Sequence, residues 1–161
     1  GLDNSPAMLA RARRRVDERG WTNVRLRLAD ASRAPLGHEE FDAAVALSSL
    51  SAMPDVPTAV GHIYDALRPG GRLFVFDVRL RPTGGRGHRA VIGLLRLVYR
   101  AFAGFSGADV VAEIERVFGA VRPALHPDEL GDTITVLHAT KPAPDAAPSD
   151  AGTVPSTRGD H

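Results

Sequence analysis

Asp3, Asp30 and Ser48 are the residues around which chemistry can be built in this chain. Each stands where a segment readable as a β-strand gives way to a loop: "GLD", "NVRLRLAD" and "FDAAVALSS". In an open α/β sheet, ligands sit beyond the carboxyl ends of the strands, where strand order reverses. A carboxylate there, such as Asp3, can accept two hydrogen bonds from the diol of a ribose. A second carboxylate followed by a free backbone N–H, as in Asp30-Ala31, can read the amino group and ring nitrogen of adenine. Together the two can hold an adenosine. Taken singly, Asp3 and Asp30 are equally turn formers, and Ser48 and Ser49 are equally small residues packed under a helix. His38, His62, His88, Tyr64 and Tyr99 are the other polar candidates, and no pattern singles one out.

The elements that would position these groups follow from local signals. Ser5-Pro6 is a helix start, with Ser at the N-cap and Pro at the first helical position. The helix is expected to run to about Arg19 and stop at Gly20, with Met8, Leu9, Ala12 and Val16 as its apolar stripe. Residues 23–29 alternate Val24, Leu26 and Leu28 with Arg25 and Arg27, the pattern of a strand with one wet face. Residues 41–49 form a near-continuous run of small apolar residues and read as a central parallel strand buried on both faces. Asp55 can cap a helix over about residues 56–67, turned inward on Val60, Ile63, Tyr64 and Leu67, which places His62 and Tyr64 away from the strand ends. After Arg68-Pro69-Gly70-Gly71, residues 72–78 read as another buried strand. The alternation of strand and helix indicates an α/β open sheet with right-handed crossovers. Residues 108–118 read as a further amphipathic helix, and 121–125 and 133–140 as two final strands.

Composition bounds the rest. At 161 residues the chain is long enough for one ordinary domain, and its net charge of +1 does not by itself argue for a nucleic-acid or membrane partner. The absence of cysteine excludes disulfides, thiolate metal sites and cysteine nucleophiles. The start is polar rather than a signal peptide, so a cytoplasmic location is expected. The first residue is Gly1 rather than Met, which leaves room for a preceding segment.

Four stretches, in order and spacing, carry a resemblance. "GLDNSPAMLARARRR" is similar to the second strand and following helix of class I S-adenosylmethionine-dependent methyltransferases. "NVRLRLADA" resembles their third strand, "FDAAVALSSLSAM" the fourth strand and the loop facing the transferred methyl, and "HIYDALRPGGRLFVFD" the turn into the fifth strand. The resemblance spans Gly1 to about Lys141. It implies a Rossmann-like open sheet, mostly parallel with an antiparallel strand near the C-terminus. It implies S-adenosyl-L-methionine as cofactor, with Asp3 on the ribose hydroxyls, Asn4 along the adenine, Asp30 and the Ala31 N–H on the adenine edge, and Ser48 near the methionine moiety. Asn4 departs from the apolar residue usual there. No metal is required, because the cationic cofactor supplies the electrophile. The family's first strand and glycine-rich loop have no counterpart in this sequence. The chain is therefore expected to be an N-terminally truncated methyltransferase domain over residues 1–141, with a gap in its sheet.

The connection over residues 79–107 is long. Gly84-Gly85-Arg86-Gly87 reads as loop and residues 88–105 as a helix, apolar around most of its girth, with Arg89, Arg96 and Arg100 on one narrow face. It resembles the lid of methyltransferases that act on hydrophobic small molecules. An apolar acceptor is the expectation, with the helix read as core or dimer interface or as resting on a membrane surface, and His88 and Tyr99 are the better-placed polar groups. Residues 142–161, rich in Pro, Ala, Ser, Gly and Asp, read as a disordered tail. Two other readings stay open: a non-catalytic fragment or partner subunit whose missing strand comes from another chain, and a nucleotide-dependent oxidoreductase on a similar sheet.

Overall fold

The computed structural model describes residues 1–78, 85–103, 109–124 and 134–144, without the side chains of residues 88, 96 and 99–103. The side-chain expectations for His88, Arg96, Tyr99 and Arg100, and most of the 142–161 tail, lie outside the described residues.

Local chemistry sets the first helix. Strand β1 (Leu2–Asp3) leads into α1 (Pro6–Glu18), where the Ser5 hydroxyl accepts the Met8 N–H at 3.3 Å. Pro6 sits at the start, where its missing N–H costs nothing. Gly20 ends the helix at φ +62°, a left-handed conformation that glycine adopts without strain. Leu9 is buried as expected, Ala12 and Val16 are half-buried, and Met8 stays exposed.

β2 comprises Arg27–Leu28, shorter than the expected 23–29. It pairs in parallel with β1, Leu2 opposite Arg27 and Asp3 opposite Leu28. A strand extends only as far as its partner, and β1 offers two residues. Bonds from Arg27 N–H to Gly1 O and from Ala29 N–H to Asp3 O complete the ladder.

A second sheet holds β3 (Phe41–Leu47), β4 (Leu67–Val78), β6 (Ile134–Thr140) and β5 (Val121–Pro123), in that spatial order. β3 and β4 are parallel, with Val45 opposite Phe74 and Leu47 opposite Phe76. β6 runs antiparallel to both β4 and β5. Between β3 and β4 lie a short 3₁₀ turn (Leu50–Ala52) and α2 (Val56–Ala66), capped by Asp55, whose carboxylate accepts from the Thr58 N–H at 3.1 Å. α3 (Arg86–Ala103) starts two residues earlier than expected, taking in Arg86 and Gly87, and α4 is Val110–Phe118.

The core lies between one face of this sheet and the helices α2 and α4. Leu73, Val75 and Leu137 from the strands meet Val60, Ile63, Ile114 and Phe118 from the helices. Tyr64 packs edge-on against Phe118 with ring centroids 5.0 Å apart. The opposite face departs from expectation. β3 is an edge strand rather than a central one, and its side chains at Phe41, Val45 and Leu47 are exposed, Val45 by 65% and Leu47 by 67%. Phe74 and Phe76 of β4 share this face and are also exposed. The expected double burial fails because no described element covers that face, and the β1–β2 pair forms a separate sheet.

The amino end of β4 is tied down by its own turn. Gly70 takes φ +79°, and a Cβ at Gly71 would stand 2.7 Å from the Arg68 carbonyl oxygen, so position 71 admits only glycine without a shift. The Gly70 N–H bonds Lys141 O, and the Lys141 N–H bonds Gly71 O. The buried Lys141 ammonium donates to Leu67 O at 2.8 Å and lies 4.7 Å from the centroid of the Tyr64 ring.

Candidate functional site

The three residues singled out by type all lie at carboxyl ends of parallel strands. Asp3 closes β1, Asp30 follows β2 by two residues, and Ser48 follows β3 directly. The turns after β1 and β2 share one device, an aspartate folding back on the backbone two residues later. Asp3 Oδ1 accepts the Ser5 N–H at 2.8 Å, and Asp30 Oδ1 accepts the Ser32 N–H at 2.9 Å. Such local bonds hold the carboxylates at the strand ends and start the following turn.

Each carboxylate keeps capacity for a ligand. Asp3 is half-buried, and its second oxygen takes no hydrogen bond among the described residues. Asp30 Oδ1 also accepts the Ser32 hydroxyl, at 2.6 Å, while Oδ2 faces only the Arg33 guanidinium at 3.4 Å. The Ser32 hydroxyl and then the Ser32 N–H hold the Asp30 carboxyl below its ordinary value. Partial desolvation opposes them, and the Arg33 charge adds to the lowering. Asp30 is therefore an anion, an acceptor only, at neutral pH. Ala31 is buried, yet its N–H meets no acceptor among the described residues. A buried unpaired donor beside an acceptor with a free lone pair is a geometry that a hydrogen-bonding ligand completes. Asn4 is exposed beside Asp3, where it can lie along a ligand.

Ser48 is exposed, has φ +47°, and donates its N–H to Phe76 O at 2.7 Å. A non-glycine residue held in the left-handed region stores strain, and such residues gather at functional sites. The loop that follows is anchored by Asp77, 2% exposed at the end of β4. Asp77 accepts from the Ser51 N–H at 3.0 Å, the Ser51 hydroxyl at 2.5 Å and the Val78 N–H at 2.7 Å. Sequence reasoning did not single out Asp77. Its signal was parity: Leu73, Val75 and Asp77 fall on the same inward face of β4.

His62 also lies elsewhere than expected. It was assigned to a helix face away from the strand ends, but its Nδ1 stands 2.8 Å from Ala31 O. No local pattern signals a contact 31 residues away. His38 is exposed, and Tyr64 belongs to the core periphery and the Lys141 contact. No group of three or more His, Asp or Glu among the described residues is arranged to hold a metal ion.

Known proteins resemble this chain in sequence and in fold. Residues 1–75 match the Methyltransferase domain family. The chain is 37% identical over 102 residues to a demethylmenaquinone methyltransferase of Thermus thermophilus, covering 63% of the chain and 42% of that protein. It is 35% identical over 85 residues to a phosphatidylethanolamine N-methyltransferase of Cereibacter sphaeroides, covering 52% of the chain and 42% of that protein. The chain thus spans about two fifths of the length of these relatives. Its fold is similar to that of phosphoethanolamine N-methyltransferase 2 of Haemonchus contortus, solved in complex with S-adenosyl-L-methionine. The TM-score is 0.65 at 16% identity, over 88% of this chain and 43% of that one.

Proposed function

Because this chain belongs to the class I S-adenosylmethionine-dependent methyltransferases, we propose that the protein transfers a methyl group from S-adenosylmethionine to a lipophilic small molecule. The observation that carries this reading is the Asp30-Ala31 turn, with an acceptor oxygen and an unpaired N–H side by side. In the proposed complex Asp30 Oδ2 takes the adenine amino proton and the Ala31 N–H donates to a ring nitrogen. Asp3 takes the ribose hydroxyls through its free oxygen, Asn4 lies along the adenine, and Ser48 borders the methionine end. The cofactor, when bound, brings a methyl group already activated by a sulfonium. The protein's task is then to hold that methyl in line with the acceptor atom and exclude water.

The lipophilic acceptor is supported by α3. Ile92 is buried against Val78, while Val91, Leu94 and Leu97 are exposed. Two relatives are named for a quinone and a phospholipid acceptor. We place the acceptor pocket beneath this helix, with α3 resting on the cytoplasmic surface of a membrane through its apolar side chains and Arg89. Among the described residues no helix is long and apolar enough to cross a membrane, so the proposed contact is peripheral. Arg89→Glu, Arg96→Glu and Arg100→Glu together should abolish co-sedimentation with anionic liposomes, and a parent protein that ignores liposomes removes the membrane contact.

The open edge of β3 supports a companion reading. An edge strand with exposed apolar side chains is a template for pairing. We propose that a further strand, from the same polypeptide or from another, pairs there and brings the glycine-rich loop that this sequence does not contain. Calorimetry tests both readings. The protein at its native length should bind S-adenosylmethionine and not NADH, and the isolated chain should bind it more weakly. NADH binding would turn the assignment to an oxidoreductase. Absence of both, together with recovery of a stable partner, would turn it to a non-catalytic subunit.

A further inference from the structure

The peptide unit joining Ala31 to Ser32 is held at both ends. Its N–H, on Ser32, donates to Asp30 Oδ1 at 2.9 Å, and its carbonyl oxygen, on Ala31, stands 2.8 Å from His62 Nδ1. A carbonyl oxygen only accepts, so this contact requires the imidazole proton on Nδ1. The bond crosses from α2, which packs on the four-stranded sheet, to the turn after β2, which belongs to the separate two-stranded sheet. Ala31 and Ser32 are both buried although they lie in a turn, and His62 is half-buried over them.

We propose that His62 is a positioning residue for adenine recognition: its bond to Ala31 O fixes the 31–32 peptide plane, whose Ser32 N–H in turn holds the Asp30 carboxylate toward the adenine edge, while the Ala31 N–H lies in the preceding peptide, whose carbonyl accepts from the Arg33 and Ala34 N–H groups. The proposal rests on the reading of Asp30-Ala31 as the adenine contact. Residues 1–34 share no strand ladder with the four-stranded sheet among the described residues. A turn on so short a sheet needs a fixed reference, and α2 provides one: it is capped at Asp55 and buried at Ala59, Val60 and Ile63. Without the imidazole, the 31–32 peptide keeps its Asp30 bond but can rotate about it. The Asp30 carboxylate, which follows the Ser32 N–H of that peptide, then loses its orientation relative to the Ala31 N–H, which stays held through the Asp30 carbonyl.

The distinguishing measurement is selectivity rather than affinity alone. Binding of S-adenosylhomocysteine and of its inosine counterpart, in which a ring carbonyl replaces the amino group, is measured by calorimetry on the protein at its native length. The parent should prefer the adenine ligand about tenfold or more, because the inosine carbonyl faces the Asp30 carboxylate without a proton to offer. His62→Ala should weaken the adenine ligand by about five- to tenfold and the inosine ligand little, collapsing the ratio. His62→Asn, whose amide nitrogen falls near the place of Nδ1, should restore most of the preference. General loosening of the fold would weaken both ligands alike and leave the ratio intact. An unchanged ratio in His62→Ala therefore overturns the role of His62 while leaving the adenine contact standing. A parent that binds both ligands equally overturns the adenine contact itself, and the proposal with it.

Discussion

The two faces of the four-stranded sheet are built from the same strands and similar side chains, yet only one of them is closed. On one face Leu73 and Val75 of β4 are shut under α2 and α4. On the other, Phe74 and Phe76 of the same strand, with Val45 and Leu47 of β3, face outward. Strand parity sends alternate residues to opposite faces, so a strand apolar at every position is built for cover on both. The difference teaches where stability and function divide. The closed face carries the core, while the candidate site residues lie at the strand ends and on the small β1–β2 sheet.

The largest contrast is expected from one truncation on each face. Ile114 is fully buried, and Ile114→Ala should cost about 2–5 kcal/mol in urea denaturation, from lost transfer energy and the cavity left behind. Leu47→Thr on the open face should stay within about 0.5 kcal/mol. If Leu47→Thr costs as much as Ile114→Ala, the face is covered in solution and the asymmetry is not a property of the folded protein. Urea is the suitable probe because it reports global stability, which the closed face should dominate.

A smaller contrast sets a buried cation against an exposed one at the amino end of β4. Lys141 places its ammonium on Leu67 O and the Tyr64 ring, with Glu39 at 3.5 Å. Lys141→Met keeps the apolar stem but removes the hydrogen bond to the Leu67 carbonyl, and should cost about 1–3 kcal/mol by thermal unfolding. Arg68 pairs with Asp42 at 2.6 Å on the surface, and Arg68→Ala should cost less than about 1 kcal/mol. Equal losses would mean that the lysine stabilises as an ordinary surface charge and does not staple the turn.

How much of this was legible in the sequence depends on how far each signal reaches along the chain. Ser5-Pro6, Gly20 and Asp55 act within four residues, and the structure has each of them as a cap or stop. The strand ends that carry Asp3, Asp30 and Ser48 were also readable, because the apolar runs stop there. The length of β2 was not, because a strand's extent is decided by its partner and not by its own alternation. The exposure of Val45 and Leu47 was not readable for the same reason: an apolar run declares what it can bury, and the neighbouring elements decide what is buried. His62 was the hardest. Its α2 position gives no hint of Ala31, and only the packing of α2 beside the β2 turn brings Nδ1 to the carbonyl.

Two aspartates of like chemistry give the finest test of the division. Asp55 caps α2 on the closed side, accepting the Thr58 N–H at 3.1 Å and the Thr58 hydroxyl at 2.7 Å. Asp30 makes the equivalent pair of bonds with Ser32 at the site. Hydrogen bonds from the side-chain hydroxyl, then from the backbone N–H, hold both carboxyls below the ordinary value of 3.8. The unfolded chain therefore takes up these protons first as pH falls. Each group's contribution to stability is fully present above that ordinary value and is lost as pH drops through the lower, folded one. Between neutral pH and pH 5 neither should change stability. Below about pH 4 the melting temperature should fall, and Asp55→Asn should flatten that acid limb, because a neutral cap no longer titrates. Asp30→Asn should leave the limb in place, since the turn it closes contributes little to global unfolding. Its effect should appear instead at the Ser32 amide, whose nuclear magnetic resonance shift should titrate with acid in the parent protein and stop doing so in the variant. Flattening of the limb by Asp30→Asn would mean that the β1–β2 region unfolds together with the closed face, and that site and core form one cooperative unit.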